Sequence, residues 1–151
     1  MIHRMRMISP IGPLMLHEES GAIVRLEFGG SGEEERACGV LCEAVRQLNE
    51  YFAGKRKAFD LPVRPAGTPF QQAVWAALRD IPYGETRTYR DIARAVGRDK
   101  AFRAVGMANH RNPVPIIIPC HRVIGADGSM TGYAGGIPVK RALLRTEGIE
   151  I

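Results

Sequence analysis

The sequence predicts a mixed α/β protein in two parts. Residues 1–65 form a small N-terminal α/β domain, an antiparallel sheet plus a helix, and residues 66–151 form a mainly α-helical domain with a helix-turn-helix. Three observations carry this reading. Short apolar runs joined by a Ser-Gly turn fill the first thirty residues. From Thr68 onward the apolar spacing is helical and two capping boxes punctuate it. Between the halves lies Leu61-Pro62-Val63-Arg64-Pro65-Ala66-Gly67, whose prolines and glycine mark a connector.

The elements follow in order. Leu14-Met15-Leu16 and Ile23-Val24-Arg25-Leu26-Glu27-Phe28 are strand-like runs, joined through Ser20-Gly21 as a hairpin. Gly29-Gly30-Ser31-Gly32 then breaks the chain. Leu41, Val45, Leu48 and Phe52 recur at helical spacing within a helix expected from roughly Glu33 to Tyr51, with Gly54 as its stop. Thr68-Pro69-Phe70-Gln71 combines an N-cap, a proline at the first helical position and a Gln three residues on. Phe70, Val74, Leu78 and Ile81 line one face of that helix, and Pro82-Tyr83-Gly84 ends it. Thr88-Tyr89-Arg90-Asp91 is a second capping box in form, leading into Ile92-Ala93-Arg94-Ala95-Val96, which Gly97 closes. Asp99 is placed to cap a third helix from Lys100 to about Ala108. The last two are short helices joined by a tight turn, the pattern of a helix-turn-helix and equally of any helical hairpin.

The third helix is unusual for a DNA reader. A major-groove helix presents Asn, Gln, Arg or Lys to base edges. Here Ala101, Ala104, Gly106 and Ala108 dominate, with Arg103 the single long cation inside. Small residues permit close approach to a surface, and they also serve plain helix packing.

Composition and charge narrow the function classes. At 151 residues the chain is long enough to bury a core, and its apolar and charged fractions are those of a globular protein. No stretch approaches the roughly 20 apolar residues that span a bilayer. The N-terminal Met1–Met7 run is basic, but Ser9-Pro10 and Gly12-Pro13 interrupt any apolar segment behind it, so no secretory signal is expected. Three cysteines, an odd number, argue against a disulfide framework and for a reducing compartment, with the cytoplasm expected. Residues 1–63 hold 8 Lys/Arg against 9 Asp/Glu, whereas residues 64–151 hold 13 against 7. A basic half-chain fits a polyanion partner, and it fits a solvated arginine-rich surface as well.

The chemistry concentrates at Ile118-Pro119-Cys120-His121-Arg122-Val123, directly after an apolar run. Pro119 tends to end a strand, and a strand end can present side chains to a pocket. A thiolate beside a base or cation is a ready nucleophile; a Cys after an isoleucine run is equally a small buried hydrophobe. As simple strand neighbours Cys120 and His121 point to opposite faces, so contact requires a turn or a bridging water. Downstream, Asp127-Gly128 signals a turn. Thr131-Gly132-Tyr133-Ala134-Gly135-Gly136 is a Gly-rich loop with one aromatic, and Val139, Leu143 and Leu144 mark a last helix ending near Glu147-Gly148. Glu147 has two readings, a carboxylate that orients His121 as in triad logic or an ordinary surface residue.

Taken together these residues resemble the O6-alkylguanine-DNA alkyltransferases, proteins of direct-reversal DNA repair. Asn112-Pro113 followed by Ile118-Pro119-Cys120-His121-Arg122-Val123-Ile124-Gly125 looks like that family's active-site signature. Gly132-Tyr133-Ala134-Gly135-Gly136, Leu143-Leu144 and Glu147-Gly148 follow at the family's distances. Ile81-Pro82-Tyr83-Gly84-Glu85-Thr86, Tyr89 and Arg103-Ala104-Val105-Gly106 match its helix-turn-helix. In the N-terminal half, Ser9-Pro10-Ile11-Gly12 and Tyr51-Phe52-Ala53-Gly54 fit the bacterial and archaeal pattern.

The resemblance implies a winged-helix-like C-terminal domain and a set of roles. Cys120 is the acceptor that attacks the alkyl carbon on guanine O6. His121 takes its proton through a water, and Glu147 polarises the imidazole. Asn112 holds the turn between helix-turn-helix and active site. Tyr89 assists nucleotide flipping and donates a proton towards guanine, while Arg103 fills the vacated stack. Ala104 and Gly106 lie on the helix that the family docks in the minor groove of double-stranded DNA. Backbone around Val123, Ala134 and Gly135 recognises the base, with Tyr133 packing over the pocket. No cofactor is expected, because the damaged base supplies the alkyl group, and a monomer is expected.

Some relatives carry an N-terminal zinc site. Here Cys38 and Cys42 are the only other thiols, and His3 and His17 show no ligand pattern in sequence, so no metal is expected. Ala134 stands where some relatives have Ser, and Phe102 and Asn109 occupy positions that vary among relatives. Two other classes remain open on the residues alone. One is a helix-turn-helix lesion sensor or transcription regulator that never reacts; the other is a Cys-His hydrolase that turns over. An alkylated Cys120 adds volume to a packed site, so the used protein is expected to be less stable than the fresh one.

Overall fold

The computed structural model describes residues 1–30, 36–130 and 132–151. The expected helix start at Glu33, the Ser31-Gly32 part of the break and Thr131 of the Gly-rich loop lie outside them. The chain divides into two compact units, Met1–Ala66 and Gly67–Ile151.

The first unit is an antiparallel sheet ordered β1 (Ile2–Ser9), β2 (Gly12–Glu19), β3 (Ala22–Phe28), with helix α1 (Gly39–Phe52) packed against all three strands. The Ser20-Gly21 turn is present, with positive φ at both residues, the geometry that lets a two-residue hairpin follow the twist of its strands. β1 was not anticipated. Its basic residues alternate with methionines, and Met7 is buried while Arg6 faces solvent, a strand period beneath the charge. β2 is central, and Leu14 through Glu18 are buried in succession. On α1 the buried face is Leu41, Ala44, Gln47, Leu48 and Tyr51, leaving Val45 and Phe52 half-buried. Gln47 is a buried clasp: its amide donates to the Asp60 carbonyl at 3.0 Å and accepts from the Asp60 N–H at 2.9 Å. The first part of the expected connector is therefore held to the sheet, with Val63 bridged to Ile23.

The second unit is mainly helical. Helix α2 (Pro69–Arg79) opens with the Thr68/Gln71 capping box, and α3 (Tyr89–Ala95) opens with the Thr88/Asp91 box. Helix α4 (Phe102–His110) completes the helix-turn-helix, packing on α2 and α3. It begins later than expected and Asp99 does not cap it; Ala101 stands at its N-cap with no side-chain bond. Trp75, 1 % exposed, ties α2 to α4 by donating from its indole to the Ala108 carbonyl at 2.8 Å. Gly67 makes room for that ring, since a Cβ there would lie 2.5 Å from it.

The apolar run before Cys120 is not a strand. Val114 through Ile118 form a buried turn, with Ile118 N–H bonded to the Val114 carbonyl and Ile117 N–H to that of Pro115. Pro113, Pro115 and Pro119 remove the donors a ladder needs, and Ile116 sits at φ 73°, a region a β-branched residue avoids. Cys120–Arg122 then make one 3₁₀ turn, followed by β5 (Val123–Ile124), paired in parallel with β4 (Arg87–Thr88). Helix α5 (Ile137–Thr146) closes the unit. Among the described residues no helix is long and apolar enough to cross a membrane.

Candidate active site

The turn that carries Cys120 is fastened chiefly by the Asn112 side chain. Asn112 donates from Nδ2 to the Ile118 carbonyl at 2.8 Å and accepts the Val114 N–H on Oδ1 at 2.9 Å. This closes the loop between the end of α4 and the thiol, and it offsets the strain at Ile116. Because Cys120 and His121 lie on a 3₁₀ turn, they no longer alternate across a strand.

Cys120 is only 5 % exposed, so the thiol is not presented to an open pocket as a strand end would present it. Burial pushes the thiol up to about 11; a hydrogen bond from the Asn112 side chain, the Lys140 ammonium and Tyr133 pull the other way. The resting side chain is a thiol, with cationic and donor groups arranged to receive a thiolate.

His121 is completely buried. Its Nε2 lies 2.6 Å from Glu147 Oε2. The carboxylate accepts, so Nε2 carries the proton and Nδ1 of the neutral ring is left as an acceptor. Nδ1 is buried and has no hydrogen-bond partner among the described residues. Burial holds the imidazole below its ordinary range, against the pull of Glu147, which keeps the ring neutral at pH 7. The group is a poised proton acceptor whose orientation is fixed from the other side.

Glu147, the C-cap of α5, is buried rather than a surface residue. Beyond His121 it accepts from Arg122 Nε at 2.8 Å, Arg122 Nη2 at 3.1 Å and the Gly84 N–H at 3.1 Å. Arg122 also donates from Nη1 to the Ile81 carbonyl at 2.7 Å, and its guanidinium stands 5.9 Å from the centre of the Tyr83 ring. Tyr83 donates to the Thr146 carbonyl at 3.0 Å. The segment between α2 and β4 is thereby locked to the end of α5. One arginine of the basic half is thus a buried counter-ion and is not available to a polyanion.

The sequence assigns no role to Arg122 or Lys140, and for Asn109 the resemblance implies only a position that varies among relatives and tunes substrate size. Lys140 is fully buried and donates to the Val123 carbonyl at 2.7 Å. Its signal was a cation on the apolar stripe of α5, three and four residues before Leu143 and Leu144. Asn109 is buried, reaches the Cys120 carbonyl from Nδ2 at 3.4 Å, and leaves Oδ1 without a partner among the described residues. Val123 and Tyr133 are buried, while Ala134 is exposed and Gly135 half-buried.

The remaining expected residues form a second set on the helix-turn-helix. Arg103 and Ala104 are exposed on α4, beside exposed Phe102 and Met107. Tyr89 begins α3 and its ring covers Gly106, where an added Cβ would lie 3.8 Å away. A hollow of about 400 Å³ beside Tyr89 is lined by Arg90, Arg94 and Phe102 among others. Arg90 stacks over Phe102 and Arg98 over Phe70. Arg90, Arg94, Arg98, Arg103 and Arg111 are exposed on or beside these helices and outnumber the exposed Asp91 and Asp99.

Comparison with known proteins covers both units. Residues 2–65 match the model of the 6-O-methylguanine DNA methyltransferase ribonuclease-like domain, and residues 69–149 match that family's DNA binding domain. A methylated-DNA--protein-cysteine methyltransferase of Methanosarcina barkeri is 51 % identical over 146 residues, 92 % of each chain. The crystal structure of Mycobacterium tuberculosis O6-methylguanine methyltransferase superposes with a TM-score of 0.89 at 49 % identity, covering 97 % of this chain and 93 % of that one. A structure of the Mycobacterium protein in complex with DNA has the same TM-score and identity, covering 96 % and 92 %.

Proposed function

The chain belongs to the 6-O-methylguanine DNA methyltransferase family, and from that premise we propose that it repairs DNA by moving an alkyl group from damaged bases onto Cys120. The substrate is O6-alkylguanine, with O4-alkylthymine as a second lesion. The observation that carries this reading is the buried acceptor nitrogen of His121, on the residue that follows the Cys120 thiol, with Glu147 bonded to the other ring nitrogen.

The steps balance as follows. A water bridges Cys120 and His121 Nδ1, and the thiol proton passes to the imidazole. Glu147 stabilises the imidazolium, and Lys140 and Asn112 stabilise the thiolate. The sulfur attacks the alkyl carbon in line, the S–C bond forms, and the C–O6 bond breaks. The electron pair left on the base is neutralised by a proton from Tyr89. The thioether has no proton to lose and no leaving path, so each molecule reacts once.

The base reaches the sulfur by leaving the duplex. Arg103 fills the stack behind it, and Ala104 and Gly106 let α4 lie close in the minor groove without reading sequence. Backbone at Val123, Ala134 and Gly135 contacts the base, and Tyr133 closes over it. The small residues and the flanking exposed arginines support non-specific backbone binding. Residues 1–65 then act as a supporting α/β domain, and residues 66–151 as the DNA-binding and active-site domain. The protein acts as a monomer, and its three free thiols fit a cytoplasmic location.

Mass spectrometry after incubation with duplex DNA containing O6-methylguanine tests the reading. One added methyl on the Cys120 peptide, absent in Cys120→Ser, is expected. An unmodified peptide with retained DNA binding overturns it in favour of a sensor, and repeated turnover on an acyl substrate in favour of a hydrolase.

A further inference from the structure

Two buried hydrogen-bond acceptors converge on the peptide that joins Cys120 to His121. One is His121 Nδ1, left as an acceptor by the bond from Nε2 to Glu147. The other is Oδ1 of Asn109, in the last turn of α4, 3 % exposed and without a partner among the described residues. A carbonyl oxygen only accepts, so the Asn109 amide must turn Nδ2 towards the Cys120 carbonyl, 3.4 Å away, and hold Oδ1 off it. The two amide atoms share one carbon, which keeps Oδ1 within about 6 Å of that carbonyl oxygen.

Asn109 differs here from Asn112. Asn112 commits both amide atoms to the backbone of the turn, at the Ile118 carbonyl and the Val114 N–H. Asn109 commits one and keeps an acceptor. A buried acceptor without a donor is costly, and leucine has nearly the same shape with no such cost, so packing alone does not account for an asparagine at this position. A water supplies what both orphans need. It has two O–H groups and two lone pairs, and buried waters make about three hydrogen bonds. One O–H for each acceptor leaves a lone pair for the Cys120 S–H.

We propose that Asn109 is a positioning residue for the alkyl transfer, its Oδ1 and His121 Nδ1 sharing one bound water that accepts the Cys120 S–H. The inference rests on the transfer reaction described above. The thiol proton moves to the water oxygen as one water proton moves to Nδ1. The S–H electron pair stays on sulfur, and the water is regenerated with its other O–H still on Asn109. Holding that second O–H fixes the rotation of the water, so a lone pair faces the sulfur while a proton faces the ring. Asn109 touches neither the base nor the alkyl carbon.

Single-turnover methyl transfer from duplex DNA containing O6-methylguanine, followed from about pH 6 to about pH 9.5, tests this in Asn109→Leu and Asn109→Asp. The titratable groups round the sulfur are His121, Lys140 of α5 and Tyr133, with Glu147 and Arg122 behind the imidazole, and neither substitution removes any of them. In Asn109→Leu the rate at pH 7 should fall about 5–50-fold, with affinity for undamaged duplex unchanged and the melting temperature equal or higher. Direct ionisation of the thiol bypasses the water, so the gap to the parent protein should narrow about threefold or more by pH 9.5. In Asn109→Asp a neutral carboxyl keeps an O–H for the Cys120 carbonyl and an acceptor for the water. At pH 6 it should run within about threefold of the parent, and the gap should widen as the buried carboxyl ionises. Opposite pH trends from one position are what a packing role does not produce. If Asn109→Leu does not fold, the trend in Asn109→Asp decides. A rate in Asn109→Leu equal to the parent's, or a gap constant across pH in the variants, overturns the proposal. Failure of the parent protein itself to methylate Cys120 overturns the transfer reading instead, and this inference with it.

Discussion

Two histidine–glutamate pairs among the described residues share a 2.6 Å contact, and in each the glutamate also meets an arginine, Arg25 or Arg122, but they differ in enclosure. His17 Nε2 meets Glu27 Oε1 on neighbouring strands, where the glutamate side chain is 39 % exposed. His121 Nε2 meets Glu147 Oε2 with both side chains fully enclosed. In the first pair His17 is buried but water reaches Glu27, so solvent can take over the glutamate's contacts. In the second, Glu147 also carries Arg122 and the Gly84 amide, and the imidazole has no solvent to fall back on. The distance is the same, but enclosure makes one contact replaceable and the other an obligation. Only the enclosed pair holds its ring in one tautomer with one nitrogen kept free.

Breaking the enclosed pair sharpens the contrast most. Glu147→Gln leaves the Arg122 cation buried without its counter-charge, and unfolding in urea should show a loss of about 3–5 kcal/mol. The alkyl-transfer rate should fall by about 10²–10⁴-fold as the base loses its orienting partner. A loss under 1 kcal/mol would place the two pairs in one class.

Alkaline pH probes the same enclosure through the sulfur. A thiol raised from the ordinary value to about 11 favours the folded state below pH 9, and that contribution is lost as pH rises through 11. Stability of the unreacted protein relative to Cys120→Ala should therefore decline over that window by roughly 2–3 kcal/mol. Parallel curves for the two proteins would mean the thiol is effectively solvated.

Methylation of Cys120 adds a carbon where 5 % exposure leaves little room. The reacted protein should lose about 1–3 kcal/mol, seen as a lower melting temperature than the fresh protein, and equal temperatures would refute this. The smallest effect belongs to the open pair. Glu27→Gln should change stability by about 0–1 kcal/mol in the same urea assay, and a loss as large as that of Glu147→Gln would collapse the comparison.

Much of the frame was legible in the residues. Thr68 and Thr88 cap as their spacing to Gln71 and Asp91 indicates, because an N-cap bond closes within three residues. Ser20-Gly21 turns where it should for the same reason. The misses share a cause as well. β1 was hidden because its alternating cations read as surface charge, and the run before Cys120 read as a strand because apolar residues alone do not reveal whether donors exist to pair. Asp99 failed as a cap once Ala101 took the helix start.

What the sequence determined by itself is the set of short-range decisions: the caps, the hairpin, the position of the thiol beside an imidazole, and the family those motifs resemble. The tertiary structure alone decided that Glu147 is enclosed, that Arg122 is spent on it, and that Lys140 lies near the sulfur. The reason is physical. Caps and turns close over a few residues, where backbone geometry leaves few choices, whereas burial and long-range ion pairing depend on which distant surfaces pack together, and no local spacing records that.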